Sequence, residues 1–219
     1  MSIKGVIFDF NGTLFWDTPF HNQAWDIFLE KHHLNFTDRE KDEKIHGKPN
    51  KDIFNGIFNR MVPEDELAGF INEKEQIYRD ICIRKQMPLA VGAIELLDYL
   101  KQQTIPFTIA TSSEINNVRF FFEQFELSRW FDFEKVIYDD GSLRGKPHPD
   151  FFTKAMEILQ LLPEECLIFE DSFAGILAAE NSRAEKIVIV NSINGNYKQF
   201  KHEVITNFNQ FDRTVFRSI

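Results

Sequence analysis

Short apolar runs alternate with amphipathic stretches along most of the chain. The first run, Gly5–Phe10, is followed by Asn11 and Gly12, a pattern typical of a buried strand that ends in a turn. Further runs rich in β-branched and aromatic residues lie at Phe107–Thr111, Lys135–Tyr138, Cys166–Glu170 and Lys186–Val190. Because helical stretches separate these runs, the pattern predicts βαβ units and a parallel sheet.

Apolar residues at helical spacing indicate the helices between these strands. Between Pro88 and Gln103 they lie at Ala93, Leu96, Leu97 and Leu100. Pro88 suits the first turn of a helix, so a helix is predicted to begin there. Further helices are expected from Phe151 to Leu159 and from Ala174 to Ala179, and Glu203–Thr206 is a candidate for a last strand.

One long segment interrupts the alternation. From residue 18 to residue 86 no strand is predicted, only amphipathic helical patterns such as His21–Lys31 and Glu64–Ile83. We interpret this segment as an all-helical insertion after the first strand. The predicted fold class is therefore α/β, with a Rossmann-like parallel-sheet core in residues 1–17 and 87–219 and a helical insertion in residues 18–86.

Composition narrows the functional classes. The 25 basic and 34 acidic residues give a net charge of −9, which disfavours binding to nucleic acid phosphates. The 24 Phe residues are spread along the chain and are not clustered with basic residues, so packing explains them better than base stacking. No apolar run is long enough for a membrane span, and no signal peptide is recognised at the start of the chain. Cys82 and Cys166 are expected to be buried thiols in a reducing compartment, so a cytoplasmic location is expected.

Polar residues follow the predicted strands at one edge of the sheet. Parallel strands bring their carboxyl ends together, and ligands of open α/β sheets bind there. Residues with reactive or polar side chains at these ends are Asp9, Asn11, Thr111, Ser112, Glu170 and Asp171, and Lys146 is predicted to open the helix before the fourth strand. A nucleophile, hydroxyl donors, a fixed cation and an acidic pair are together the components of a phosphoryl-transfer site.

Each component also has a simpler structural interpretation. The Asp9 carboxylate could attack phosphorus, or it could cap the following turn. Glu170 and Asp171 suit Mg²⁺, which prefers oxygen ligands, or they could cap the next helix. Lys146 could neutralise a phosphoryl group or be a solvated surface residue, and Thr111 and Ser112 could be ordinary loop residues.

The order of four motifs favours the functional interpretation. Asp9–Leu14 (DFNGTL), Thr111–Ser113 (TSS), Lys146–Asp150 (KPHPD) and Glu170–Gly175 (EDSFAG) resemble, in this order, the motifs of the haloacid dehalogenase-like superfamily. This resemblance covers nearly the whole chain. His21, Trp25 and the segment Ile45–Asp52 (IHGKPNKD) resemble the helical cap of its β-phosphoglucomutase-like branch.

The resemblance implies roles for individual residues. Asp9 would be the nucleophile, and the backbone carbonyl of Asn11 would join Asp9, Asp171 and, less directly, Glu170 in binding Mg²⁺. Thr111, Ser112 and Lys146 would hold the phosphoryl group, and Gly12 would keep the backbone close to it. In the cap, His21 would face the entrance of the active site, and Lys48 and Lys51 could meet a distal phosphate of the substrate.

Three positions differ from the family pattern. Active members normally carry an acid/base Asp two residues after the nucleophile, where this chain has Asn11. An amide cannot transfer that proton, and loss of general acid/base help costs about 10²–10⁴-fold in rate. Glu114 stands where mutases of this branch carry Lys, which weakens the mutase interpretation, and Trp16–Asp17 replaces the usual Asp–Ser before the cap.

The resulting hypothesis is a Mg²⁺-dependent phosphatase of a small phosphorylated metabolite that forms an aspartyl phosphate, slowed by Asn11 or restricted to good leaving groups. The alternatives are a sugar-phosphate mutase or a non-catalytic phospho-ligand sensor. A dehalogenase fits less well, because the acidic pair suggests a metal, and a phosphonatase would need a cap Lys such as Lys48. An introduced Asp-to-Asn substitution would give the same sequence. No nucleic acid or membrane partner is expected, and a monomer is favoured, although nothing in the sequence determines the oligomeric state.

Overall fold

A six-stranded parallel sheet forms the centre of the larger of two units in this computed structural model. The structure describes residues 3–45 and 50–216. The larger unit, called the core unit here, comprises Met1–Asp17 and Pro88–Ile219, and the other, the helical unit, comprises Thr18–Met87. The division falls one residue after the expected boundary, so Met87 belongs to the helical unit.

The predicted strands are present, with small shifts at their ends. They are β1 Gly5–Phe8, β2 Phe107–Glu114, β3 Ile137–Asp139, β4 Cys166–Glu170, β5 Lys186–Val190 and β6 Glu203–Ile205. The first strand ends at Phe8, before the expected Phe10, and β2 continues past Thr111 to Glu114. Every residue of β1 and β4 is buried, as expected for central strands of a parallel sheet covered on both faces.

The strand order places a crevice between two particular strands. The order is β3-β2-β1-β4-β5-β6, so the chain moves outward from β1 to β3 and then returns to the other side of β1 with β4. This reversal between β1 and β4 is a topological switch point, where the connections on either side diverge and leave room for a ligand. The residues that follow β1 and β4 therefore line the expected binding position.

Each of the described α-helices lies within one of the two units. In the helical unit they are α1 Thr18–Lys31, α2 Asp38–Lys44, α3 Asn50–Phe58 and α4 Glu64–Lys85, and in the core unit α5 Ala93–Gln102, α6 Ile115–Gln124, α7 Asp150–Leu159 and α8 Phe173–Asn181. The structure describes no strand in the parts of residues 18–87 that it covers. No helix among the described residues is long and apolar enough to cross a membrane.

Two predicted helix starts were wrong. Helix α5 begins at Ala93 rather than Pro88, because Ala90 N–H bonds to Leu14 O at 2.8 Å and Gly92 has a φ of +81°, outside the helical range. Helix α7 begins at Asp150, so Lys146 precedes it and does not open it. Pro147 and Pro149 explain this, since the residue before a proline is disfavoured in the helical conformation.

Aromatic and aliphatic side chains fill the interior of each unit. On one face of the sheet, Phe8 stacks on Phe169 with ring centroids 5.1 Å apart. On the other, Phe152 and Met156 of α7 pack with Ile7 and Ile168. The helical unit has a separate core that includes Trp25, Phe28, Phe54, Ile57 and Leu67. The Phe-rich composition thus reflects packing, and Cys82 and Cys166 are buried free thiols as predicted.

Candidate active site

Three carboxylates meet at the switch point between β1 and β4. Asp9 directly follows β1, and its N–H donates to Phe169 O at 3.0 Å, which places it beside the end of β4. Glu170 is the last residue of β4, and Asp171 follows it. Each of the three offers an oxygen, and these oxygens all lie within 4.8 Å of one another. The sequence analysis placed these three residues at one edge of the sheet, and the structure brings them together.

Lys146 is held between two of these carboxylates. Its Nζ lies 2.6 Å from Asp9 Oδ1 and 2.7 Å from Glu170 Oε1, and its side chain is only 7% exposed. Burial disfavours the ammonium, but the charges of Asp9 and Glu170 outweigh this effect and raise the pKa of Lys146. Lys146 is therefore a fixed cation at the sheet edge and not a solvated surface residue.

Burial also changes the proton affinity of the carboxylates. It raises the pKa of Asp9 to about 7, with Lys146 opposing this rise and Glu170 and Asp17 adding to it. Burial and the charges of Glu170 and Asp9 raise the pKa of Asp171 well above its ordinary value. One buried ammonium thus does not balance the clustered acidic groups, and a divalent cation would compensate the excess negative charge.

The donor set at this position fits Mg²⁺. The clustered ligand atoms are carboxylate oxygens, the type that this hard cation prefers. Glu170 Oε1 accepts from Lys146, and Glu170 Oε2 accepts from Ser172 N at 2.6 Å, so Glu170 already has partners on both oxygens. The less direct role expected for Glu170 in metal binding stays a prediction.

Glycine allows the backbone to approach these carboxylates. Gly12 has a φ of +81°, and a Cβ added to it would overlap the Asp171 carboxylate. A Cβ on Gly175, in the first turn of α8, would likewise overlap the Glu170 carboxylate. Both glycines belong to the motifs recognised in the sequence, and the close approach gives a physical reason for each.

Thr13 and Tyr197 position Asp171, and neither was among the predicted site residues. Thr13 Oγ1 donates to Asp171 Oδ1 at 3.1 Å, and Tyr197 OH donates to the backbone oxygen of Asp171 at 2.7 Å. Burial and the charge of Asp171 raise the pKa of Tyr197 to about 12, so the phenol keeps its proton as a donor. Thr13 lies within the first motif, whereas no sequence signal links Tyr197 to Asp171.

Two hydroxyl residues of β2, Thr111 and Ser113, contact Asn11 of the first motif. Thr111 is buried, and its Oγ1 accepts from Ser113 N at 3.1 Å and lies 3.4 Å from Asn11 Oδ1. Ser113 Oγ donates to the same Asn11 oxygen at 2.6 Å. Ser112, predicted to bind phosphate, is exposed at the end of the same strand. Ser113 was noted in the motif but not predicted as a site residue.

Asp17 is a further carboxylate beside the first motif. It is 1% exposed, and its oxygens accept from Asn11 Nδ2 at 2.5 Å and from Gly12 N at 3.0 Å. The sequence analysis noted Asp17 only as a departure from the usual residues before the insertion. One sequence signal could have identified it, because Asp17 is a carboxylate only six residues after Asn11, the amide at the acid/base position of the family.

Glu114 has a structural role at the end of β2. It precedes α6 as its N-cap, and its Oε2 accepts from Asn116 N at 3.2 Å and from Asn116 Nδ2 at 2.9 Å. An N-cap carboxylate satisfies the free N–H groups of the first helical turn. The position where sugar-phosphate mutases carry Lys therefore holds an acidic capping residue in this chain.

Two of the three predicted cap residues, His21 and Lys51, have partners in the helical unit. The His21 ring stacks on Tyr78 with centroids 3.9 Å apart, and Lys74 Nζ lies 2.9 Å from His21 Nδ1. Lys74 is 5% exposed and was not predicted. Lys51 Nζ lies 3.6 Å from Glu64 Oε2 on the surface of this unit. Lys48 lies outside the described residues, and the substrate contacts of all three predicted residues remain predictions.

Comparisons with known proteins agree with this fold and motif order. The model of the haloacid dehalogenase-like hydrolase family matches residues 3–183. A phosphorylated carbohydrates phosphatase of Thermotoga maritima is 26% identical over 197 residues, covering 88% of each chain. A β-phosphoglucomutase of Bacillus subtilis is 28% identical over an alignment of 188 residues, and the match covers 82% of this chain and 80% of that protein. A crystal structure of an Entamoeba histolytica protein, described as a HAD hydrolase of family IA, variant 3, superposes with a TM-score of 0.90 at 32% identity and covers 98% of this chain and 97% of its own.

Proposed function

We propose that this chain, which belongs to the haloacid dehalogenase-like hydrolase family, is a Mg²⁺-dependent phosphatase of a small phosphorylated carbohydrate or related metabolite. The observation that carries the proposal is the pairing of Asp9 with Lys146 at 2.6 Å, inside a cluster of carboxylates at the switch point. A buried nucleophile, a fixed cation and a metal-binding carboxylate are what phosphoryl transfer to a carboxylate requires.

The residues support a two-step reaction. In the first step an Asp9 carboxylate oxygen attacks phosphorus, and the bond from phosphorus to the leaving oxygen breaks, with the electron pair going to the leaving group. In the second step water attacks phosphorus of the aspartyl phosphate, which releases inorganic phosphate and a proton and restores the Asp9 carboxylate. Lys146 neutralises charge on the nucleophile and the phosphoryl oxygens, and Thr111 and Ser112 supply hydroxyl donors.

The metal would supply charge neutralisation. Asp9, Asp171 and the backbone carbonyl of Asn11 would hold Mg²⁺, with Glu170 contributing less directly, and the ion would stabilise the negative phosphoryl oxygens. Gly12 allows the backbone of the first motif to lie against Asp171, so that these donors can converge. The helical unit would serve as the cap, with His21, Lys48 and Lys51 as its candidate substrate contacts.

Asn11 restricts the substrates that react quickly. An amide cannot protonate a departing alkoxide, so sugar phosphates should react about 10²–10⁴-fold more slowly than with an acid/base carboxylate. Acyl phosphates, pyrophosphate and activated aryl phosphates have leaving groups that need no protonation. The name of the Thermotoga relative supports including phosphorylated carbohydrates among the substrates tested.

The test is phosphate release from a substrate panel. Sugar phosphates, nucleotides, pyrophosphate, acetyl phosphate and an aryl phosphate are incubated with the protein in Mg²⁺ or in EDTA. We expect Mg²⁺-dependent release, fastest with the good leaving groups, and none above background from Asp9→Asn. Glu123→Gln, which removes an exposed carboxylate of the same unit, is the matched control. Release in EDTA, or release by Asp9→Asn at the parent rate, would contradict the proposal.

A mutase is the second candidate, favoured by the similarity to β-phosphoglucomutase. A mutase returns the phosphoryl group to a bisphosphate intermediate and therefore depends on a bisphosphate activator. With Glu114 at the position where mutases of this branch carry Lys, such an intermediate would lose a cationic contact. Conversion of a sugar 1-phosphate to its 6-phosphate, stimulated by the bisphosphate, would favour the mutase. Binding of Mg²⁺ and phosphate without any turnover would favour the sensor alternative.

A further inference from the structure

Asp17 receives hydrogen bonds from two consecutive residues of the first motif. Asn11 Nδ2 donates to its Oδ2 at 2.5 Å, and Gly12 N donates to its Oδ1 at 3.0 Å. The carboxylate is 1% exposed, so little solvent competes for these bonds. These bonds therefore close the loop between Asn11 and Asp17, which is the last residue of the core unit before α1.

The Asn11 amide has different partners on its two ends. Its Oδ1 accepts from Ser113 Oγ at 2.6 Å and lies 3.4 Å from Thr111 Oγ1, while its Nδ2 faces Asp17. An ionised carboxylate can only accept hydrogen bonds, whereas a hydroxyl can donate. A rotated amide would set its oxygen against the Asp17 carboxylate, so the chemistry of the partners fixes one orientation.

We infer that Asp17 is a positioning residue that holds the carbonyl oxygen of Asn11 toward the hydroxyl side chains of β2. The inference rests on the proposed function and makes it more specific. Held in this way, Asn11 Oδ1 accepts from Ser113 Oγ and lies beside Thr111 Oγ1, one of the hydroxyls proposed to hold the phosphoryl group. It presents no donor to the leaving oxygen, which accounts physically for a preference for leaving groups that need no proton.

The same geometry predicts that Asn11→Asp, which restores the acid/base Asp of the family, is not sufficient by itself to restore rapid turnover of sugar phosphates. Asn11→Asp alone sets a new carboxylate against Asp17, and like charges at this distance disfavour each other. Combining it with Asp17→Asn restores one amide facing one carboxylate. The new amide donates from Nδ2 to the new carboxylate and accepts from Gly12 N with its oxygen, so every hydrogen bond of the parent has a counterpart.

A double-mutant cycle tests the inference. The parent, Asp17→Asn, Asn11→Asp and the double variant are compared for kcat and KM with acetyl phosphate and with a hexose phosphate in Mg²⁺. We expect each single substitution to lower kcat for acetyl phosphate by about tenfold and to change KM by about twofold or less. The double variant should recover most of this loss and exceed Asn11→Asp on the hexose phosphate by about tenfold or more.

A second readout does not depend on turnover. In protein labelled with ¹⁵N-asparagine, the side-chain amide protons of Asn11, assigned by their loss in Asn11→Asp, should exchange slowly with solvent. They should shift and exchange faster in Asp17→Asn but not in the control Glu123→Gln. Circular dichroism confirms that each compared variant is folded, and the double variant restores the hydrogen-bond pattern if Asp17→Asn alone is unstable.

The outcomes separate the inference from the proposed function. Effects of the two substitutions that simply multiply, or an Asn11 amide signal that is unchanged in folded Asp17→Asn, would overturn the role of Asp17. If the parent turns over no substrate but the amide signal responds as expected, the phosphatase proposal fails and the positioning of Asn11 by Asp17 is supported.

Discussion

Replacing Lys146 with Met tests the electrostatics of the site most severely. Lys146→Met keeps most of the side-chain length and removes the ammonium that lies 2.6 Å from Asp9 and 2.7 Å from Glu170. These carboxylates would then be buried without their cation. Removing one partner of a buried ion pair costs roughly 3–5 kcal/mol. We therefore expect the metal-free protein at pH 8 to lose about that much free energy of unfolding.

The loss should depend on pH and on Mg²⁺. Asp9, with a pKa of about 7, is largely protonated at pH 5 in the parent, so its attraction to Lys146 and the cost of losing it are smaller there. A bound divalent cation would supply positive charge in place of the ammonium, so Mg²⁺ should reduce the loss at pH 8. Turnover and phosphate affinity should both fall, because the phosphoryl group loses the same cation.

Urea denaturation at pH 5 and pH 8, in EDTA and in Mg²⁺, measures these differences. The matched control is Lys154→Met, which breaks a pair with Glu157 whose side chains are 51% and 61% exposed. Exposed pairs contribute about 0–1 kcal/mol. An equal loss for both variants, or a loss for Lys146→Met that is the same at both pH values, would refute the assigned role of the buried ammonium.

Further predictions concern the same carboxylates and their supports. The pKa of Asp9 is raised from 3.8 to about 7 on folding, so its contribution to stability is present below pH 4 and is lost as pH rises through 7. In EDTA, the free energy of unfolding of Asp9→Asn relative to the parent should therefore be about 4 kcal/mol higher at pH 8 than at pH 4, at about 1.4 kcal/mol per pKa unit. Urea denaturation at the two pH values measures this difference, and no difference would contradict the raised pKa. Tyr197→Phe keeps the stacking on Phe173 but loses the hydrogen bond to the backbone oxygen of Asp171. Calorimetry should therefore show weaker Mg²⁺ binding, and urea denaturation should show a loss of about 1 kcal/mol in the free energy of unfolding. Unchanged Mg²⁺ binding would make Tyr197 purely structural. Gly12→Ala should weaken Mg²⁺ binding strongly, because the added Cβ would overlap the Asp171 carboxylate. Gly141 has a similar φ of +80° but no atoms near an added Cβ, so Gly141→Ala should cost only about 1 kcal/mol of backbone strain. Equal effects of the two substitutions on Mg²⁺ binding would contradict the close approach of Gly12 to Asp171.

Hydrophobic patterning predicted the sheet well because its strands are short, buried and separated by helices. It placed even the last strand, Glu203–Ile205, whose apolar character is weak. Helix starts were harder to predict, because they depend on local backbone geometry. The apolar spacing after Pro88 suited a helix, but the bond from Ala90 to Leu14 and the conformation of Gly92 delay it to Ala93.

The central residues of the site were predictable because strand ends of a parallel sheet share one edge. Asp9, Glu170 and Asp171 follow directly from that rule, and motif order adds Lys146. The supporting residues were not predicted, since their roles depend on side-chain directions. Tyr197 reaches Asp171 from a loop far along the chain, and Asp17 reaches back to Asn11 across a turn.

The most direct test of the proposed mechanism is to trap the phosphorylated enzyme. The protein is mixed with acetyl phosphate in Mg²⁺, quenched in acid within one turnover and digested, and the peptide containing Asp9 is analysed by mass spectrometry. The account predicts a phosphoryl group on Asp9 that is absent in EDTA and in Asp9→Asn. Phosphate release without a phosphorylated Asp9 at any quench time, or a phosphoryl group on another residue, would contradict it.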